Sequence, residues 1–270
     1  MPELPEVEVT RLGLLPHLQN QAVKQLIIRE YSLRWPIPKD LKHHLVGATL
    51  HNIARRGKYL LFSSESGSLM IHLGMSGSLR LVPLKTPAQK HEHVDIVFAD
   101  KILRYTDPRR FGAILWVNDA PSAHRLLAKL GPEPLTREFN TNYLYRQCQG
   151  RQVNIKTLVM NSHIVVGVGN IYATESLFLA GIHPLTPAGT LEKSHITALV
   201  QAIKKVLRKA IKSGGTTLQD FVQADGRPGY FQQKLWVYGR KDMPCLKCNT
   251  TLDQLKINGR STVFCPACQP

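Results

Sequence analysis

Four cysteines crowd into the last stretch of this 270-residue chain as Cys245-x2-Cys248 and Cys265-x2-Cys268, with 16 residues between the pairs. Each pair has the spacing of a tight knuckle, and two knuckles supply the four thiolates of one tetrahedral zinc site. This constrains the C-terminus to a short, loop-rich tail stapled by a structural Zn2+ rather than packed around a core of its own. Disulfides are the competing reading. They are disfavoured because the opening segment, MPELPEVEVT, is acidic and proline-rich with no basic-then-apolar export signal, so a reducing cytoplasmic or nucleoid setting is expected. Cys148 stands alone and reads as structural.

Lysine and arginine number 35 against 19 acidic residues, a formal charge of +16. Four zinc-bound thiolates lower that to about +14, and the excess still points to a polyanionic partner. Divided after Leu130, the two parts carry +7 and +9, so the charge is not a localised tail and both halves are expected to contribute to one binding surface. A basic but unspecialised enzyme is the bland alternative. No apolar run approaches the roughly 18 residues of a membrane span, which sets a membrane partner aside.

From Val23 to Val117, short apolar runs alternate with Gly, Ser, Pro and Asp. Residues 59–62, 69–73, 79–82, 94–98, 102–105 and 113–117 read as strands, with Asp100-Lys101 as a hairpin turn, and this spacing favours an antiparallel sandwich or barrel. Glu6 to Leu18 is more helical, with Val9, Leu12 and Leu15 or Pro16 on one side and Pro5 in the first turn. After Gly131-Pro-Glu-Pro134 the period becomes helical: residues 171–180 end at Gly181, and 191–212 stop at Gly214-Gly215. The second of these carries a basic face of Lys204, Lys205, Arg208, Lys209 and Lys212, more often solvated than bound to phosphate.

Three places could carry chemistry. Removal of Met1 would leave Pro2 with a terminal secondary amine, a class of group that titrates near 8 and is far more nucleophilic at neutral pH than a lysine. Glu3 and Glu6 follow it, and a carboxylate beside an amine can move protons, although Pro-Glu-x-Pro-Glu is also an ordinary helix start. Second, Met75 in His72-Leu-Gly-Met-Ser-Gly77 sits in a turn that should push it into solvent, where an apolar side chain can wedge between bases. Asp107-Pro-Arg-Arg-Phe-Gly112 likewise presents two guanidiniums and a ring suited to base edges and stacking. Third, Gly167-Val-Gly-Asn170 leads into a helix whose N-terminus can hold a phosphate.

Taken together, PELPEVE, RRGKYLL at 55–61, HLGMSG, YTDPRRFG, GPEPL, VVGVGNIYATE, GGTTLQDF, YGR and the four-cysteine tail resemble the formamidopyrimidine-DNA glycosylase family, in order, from residue 2 to 268. The resemblance implies an α+β multidomain fold: an N-terminal β-sandwich with flanking helices over 1–130, a helical helix-two-turn-helix domain over 131–235, and a zinc finger over 236–270. It implies base excision repair by a bifunctional DNA glycosylase and abasic-site lyase that removes oxidised purines. It further implies duplex DNA as the partner, met by a monomer in the bacterial cytoplasm and nucleoid. By position, Pro2 matches the nucleophile, Glu3 the acid/base residue and Lys58 the lysine near the reacting sugar. Met75, Arg109 and Phe111 match the residues that enter the duplex where the damaged base leaves, with the arginine facing the orphaned cytosine. Asn170 and Arg260 match phosphate-binding positions, Lys156 a residue near the lesion, and Thr216 to Tyr230 the loop that covers the everted base. His72 and His91 complete the DNA-facing set. No second metal-ligand cluster is apparent among the histidines, so His93 reads as core or surface. The rival within the scaffold is the endonuclease VIII group, which prefers oxidised pyrimidines; Leu4 and the Met75, Arg109, Phe111 set favour the purine enzyme. A non-catalytic zinc-finger binder is the rival from another class.

Overall fold

The computed structural model describes residues 2–118, 120–214 and 235–270. The stretch expected to cover the lesion and the processing of Met1 lie outside the described residues. The chain divides into two compact units, one built on Met1–Lys129 and one on Leu130–Lys212 with the C-terminal segment through Pro270. The four-cysteine segment falls within the second of these units.

In the first unit, α1 (Leu4–Leu18) precedes β1 (Gln21–Ala22), β2 (Gln25–Ile28), α2 (Leu41–Leu45), β3 (Thr49–Leu50), β4 (Asn52–Arg56), β5 (Tyr59–Ser64), β6 (Gly67–His72), β7 (Ser78–Pro83), β8 (Glu92–Val97), β9 (Lys101–Thr106) and β10 (Ala113–Val117). Two antiparallel four-stranded sheets form, ordered β10-β6-β5-β4 and β2-β8-β9-β7. Their inner faces share one core that includes Leu60, Phe62, Ile71, Leu79, Ile96 and Leu103, the sandwich that alternating runs specify. All six expected strands are present. The β8–β9 turn lies one residue earlier than expected, because Phe98 N–H donates to Lys101 O at 2.9 Å and so encloses Ala99 and Asp100.

Helix α1 packs on a different face from the one its most apolar triple suggests. Val7, Leu14 and Leu18 are fully buried, whereas Leu12 is 46% exposed. The reason is Arg11: it lies on the buried stripe and its guanidinium reaches Ile53 O on β4 at 3.3 Å, so a polar residue belongs to the sheet-facing side.

The second unit holds α3 (Thr141–Cys148), α4 (Ile155–Met160), α5 (Asn170–Ala180), α6 (Lys193–Lys212) and the hairpin β11 (Asp253–Ile257) and β12 (Arg260–Phe264). Helix α5 is buried from Ile171 to Phe178 and ends on Gly181 at φ +69°, a left-handed cap that an L side chain resists. Helix α6 buries Leu199, Ile203, Val206 and Leu207 against it and leaves Lys205, Arg208, Lys209 and Lys212 exposed. Buried Glu175 on α5 accepts the backbone N–H groups of Trp236, Val237 and Tyr238 at 2.8, 2.9 and 2.9 Å, which anchors the segment leading into the tail. Burial pushes its carboxyl pKa up even against those three donors. Among the described residues no helix is long and apolar enough to cross a membrane.

Candidate active site and nucleic-acid interface

Pro2 and Glu3 are buried at the N-terminal end of α1, the positive end of the helix dipole. Glu3 is the N-cap residue: its C=O accepts from Val7 N–H at 3.1 Å and its own N–H donates to Glu6 Oε2 at 2.8 Å. The fully buried Glu6 therefore fixes the backbone beside Pro2.

Lys58 occupies the tip of the β4–β5 hairpin. Arg56 pairs with Tyr59, leaving Gly57 and Lys58 as a two-residue turn, and Gly57 at φ +57° provides the left-handed first position that such a turn requires. Opposite Tyr59 in the β5–β6 register stands His72, its ring 4.8 Å from the tyrosine ring. Its Nδ1 accepts Gly74 N–H at 3.0 Å, so the imidazole caps the turn that carries Met75. Burial first, then the charges of Lys58 and Arg34, push His72 down to about 4, and the ring is neutral at physiological pH.

Met75 is 39% and Phe111 42% exposed, and the Arg109 guanidinium lies 4.8 Å from the Phe111 ring centroid. The loops that raise them touch backbone to backbone: a Cβ on Gly74 would lie 2.4 Å from Phe111 C, and one on Gly112 would lie 2.6 Å from His72 O. Beneath the tips, Asp107 is fully buried and accepts from Ser76 Oγ at 2.7 Å, Tyr105 Oη at 2.9 Å and Gly112 N–H at 2.9 Å. Ser76 Oγ in turn accepts Arg109 N–H at 3.2 Å. His91, half-buried at φ +70°, accepts Asp107 N–H on its carbonyl at 3.0 Å. The buried Arg104 donates to Thr86 O and Pro87 O just upstream, which fixes the approach to His91.

In the second unit, Lys156 on α4 is 1% exposed. Its ammonium donates to Asn170 Oδ1 and to Thr262 Oγ1, both at 2.6 Å, and Asn170 Nδ2 donates to Ser261 O at 3.0 Å. These two residues stitch the start of α5 to the finger hairpin. Asn258 Nδ2 adds a bond to Thr157 Oγ1 at 3.1 Å. A cavity of about 290 Å³ between α4 and the hairpin turn is lined by Arg151, Lys156, Asn161, Asn258 and Arg260. Arg151 is absent from the sequence-based set; its only local signal is its place after Gly150, at the end of α3.

Beyond the hairpin, the Cys245, Cys248, Cys265 and Cys268 sulfurs all lie within 4.8 Å of one another. The N–H groups of Lys247 and Cys268 point back at Cys245 Sγ and Cys265 Sγ, both at 3.4 Å, so each pair turns back on its first sulfur. A tetrahedral ion with Zn–S near 2.3 Å needs sulfurs about 3.8 Å apart, so this donor set fits zinc and leaves no open coordination position. Cys148, by contrast, is buried at the end of α3, and burial pushes its thiol up to about 11.

The family profile of the formamidopyrimidine-DNA glycosylase N-terminal domain matches residues 1–114, that of the H2TH domain of the same glycosylase matches 130–222, and that of a zinc finger found in FPG and IleRS matches 244–270. Formamidopyrimidine-DNA glycosylases of Shewanella loihica and Psychromonas ingrahamii are each 54% identical, with the whole of both chains covered. Among solved structures, the MutM (FPG) protein of Thermus thermophilus aligns with a TM-score of 0.90 at 38% identity, covering 99% of this chain and 98% of that one. A Lactococcus lactis FPG variant in complex with a Fapy-dG-containing DNA gives 0.93 at 35% identity, and the Lactococcus lactis Fpg with an abasic-site-containing DNA gives 0.92 at 35%, each covering 99% of both chains.

Proposed function

Because this chain belongs to the formamidopyrimidine-DNA glycosylase family, we propose that the helix end at Pro2 and Glu3 is where an oxidised purine nucleotide of duplex DNA is attacked. The protein is a DNA glycosylase of base excision repair with abasic-site lyase activity. The observation that carries the residue assignment is the seating of Pro2 and Glu3, both buried, on the positive end of α1.

A base within a duplex hides its glycosidic carbon, so the nucleotide must first be everted at a cost of a few kcal/mol. Met75, Arg109 and Phe111 fill the space it leaves, the arginine facing the orphaned cytosine. With Met1 removed, the unprotonated Pro2 nitrogen bonds to C1′ as the bond from C1′ to the base breaks; the base departs with the electron pair and takes up a proton. Glu3 delivers a proton to the sugar ring oxygen as the ring opens to a Pro2 iminium. That cation acidifies the neighbouring carbon-bound protons, so successive eliminations expel the phosphates on the two sides of the sugar, and water then releases Pro2. Lys58 stands by the sugar and its phosphate through these proton transfers. Water as nucleophile would stop at base removal.

Arg151, Arg260, His91 and the N-terminal end of α5 receive backbone phosphates, while Lys156 and Asn170 hold the finger hairpin against that helix. Zinc on the four cysteines supplies a fixed fold for the hairpin. The protein acts as a monomer on the bacterial chromosome.

Borohydride reduction of the protein with a duplex bearing an oxidised guanine is expected to trap a covalent adduct that maps to Pro2. A parallel duplex with an oxidised thymine, trapped more readily, would place the chain with the endonuclease VIII group instead. No adduct on either duplex would leave a zinc-finger binder.

A further inference from the structure

The reacting groups assigned above come from two elements, Pro2 and Glu3 from the start of α1 and Lys58 from the tip of the β4–β5 hairpin. Burial of Val7, Leu14 and Leu18 holds α1 on the sheet, but the turn at the hairpin tip needs its own tie to that helix. Glu8 and Arg55 supply that tie. Arg55 Nε donates to Glu8 Oε2 on α1 at 2.8 Å, and Arg55 Nη1 donates to Gly57 O, the residue before Lys58, at 2.9 Å. The Glu8 and Arg55 side chains are only 16% and 12% exposed.

We propose that Arg55 is a positioning residue for the glycosylase and lyase chemistry, locking the Gly57–Lys58 turn to the helix that carries Pro2 and Glu3 through Glu8. The guanidinium suits this task because it is a rigid plane with donors in fixed, diverging directions, so one edge fixes the helix and another fixes the turn. A lysine at the same position keeps the charge and cannot hold both acceptors in one geometry. Glu8 is braced from its other side by Arg11, whose Nη2 donates to Oε1 at 2.7 Å while its Nη1 reaches Ile53 O. Burial raises the Glu8 carboxyl, yet the bonds and charges of Arg11 and Arg55 together hold it below the usual carboxylate range, so the bridge is ionised at neutral pH.

Arg11 makes the proposal separable from simple fold support. It shares Glu8 with Arg55 and anchors α1 to the sheet, but no hydrogen bond shown for it reaches the Lys58 turn. The proposal rests on the assignment of Pro2 and Lys58 above. Its test is the full-length, zinc-loaded protein and three variants, Arg55→Lys, Glu8→Gln and Arg11→Gln. Each is measured for single-turnover excision and for affinity to a duplex carrying a tetrahydrofuran abasic analogue, which cannot form the iminium. Arg55→Lys is expected to lower the single-turnover rate ~10- to 100-fold, the scale of an ångström-sized misplacement, with duplex affinity within about two-fold of the parent. Glu8→Gln, nearly isosteric, carries the same expectation if Arg55→Lys does not fold. Arg11→Gln is expected to keep the parental rate while unfolding at lower temperature. A parental rate in Arg55→Lys, or an equal loss of rate in Arg11→Gln, overturns the positioning role. Borohydride trapping of the parent runs alongside: no adduct overturns the Pro2 assignment and the positioning role with it, whereas a normal adduct beside an unaffected Arg55→Lys overturns the positioning role alone.

Discussion

Ser76 and Asp107 are 31 positions apart in the sequence and 2.7 Å apart in the fold, hydroxyl to carboxylate. That bond joins the loop of Met75 to the loop of Arg109 and Phe111, and two further donors, Tyr105 Oη and Gly112 N–H, converge on the other carboxylate oxygen. Burial and the neighbouring carboxylate push the Tyr105 hydroxyl pKa far upward, so it remains a donor throughout the working range.

Asp107→Ala is expected to lower unfolding stability by about 3 kcal/mol, since it strands buried donors that each lose a charge-assisted bond. Asp107→Asn should cost less, because one acceptor oxygen survives. Equilibrium urea unfolding measures both; an alanine variant as stable as the parent would show that the two loops hold each other without the carboxylate.

His72 predicts a pH dependence. Its folded-state value of about 4 lies below the ordinary 6.5, so as pH falls the unfolded chain takes up the proton first. The stability from keeping the ring neutral is therefore complete above about pH 6.5 and is lost progressively toward pH 4, by at most about 3 kcal/mol at 1.36 kcal/mol for each pH unit. Nitrogen chemical shifts of the ring should report a neutral imidazole at pH 5.5. A titration midpoint near 6.5 would remove the basis for this claim.

Much of the site is legible in the sequence because its signals are local. The zinc knuckles are a matter of spacing, Met75 and Phe111 are exposed where turn residues surround a large apolar side chain, and Gly181 closes α5 where the periodic pattern stops. What is not legible depends on distant partners. Asp107 is one more acid in a turn until Ser76 arrives from the turn between β6 and β7, and the sequence places Lys156 near the lesion without revealing its bonds to Asn170 and Thr262. The buried face of α1 is misread for a related reason: Arg11 is polar in sequence but apolar along most of its length, and only β4 reveals which side it joins.

Zinc binding should be stoichiometric, one ion per chain. Cys265→Ser or Cys268→Ser is expected to release the metal, unfold the tail and weaken duplex binding, because metal affinity and folding of such a tail are one equilibrium. Metal analysis and fluorescence anisotropy test the two parts. Unchanged duplex affinity in a zinc-free variant would make the finger dispensable for binding.

Retaining Met1, or adding residues ahead of it, should abolish excision while leaving duplex binding within about two-fold, since an acylated Pro2 nitrogen has no lone pair to give. Normal turnover by an extended protein would move the nucleophile elsewhere.

The contact between Gly74 and the Phe111–Gly112 peptide leaves no room for even one methyl group on Gly74. Any effort to redesign how these two loops enter the duplex is thereby confined to the three protruding tips. Lengthening or regrafting the segments beneath them would force the crossing apart, so a new specificity has to be installed one side chain at a time.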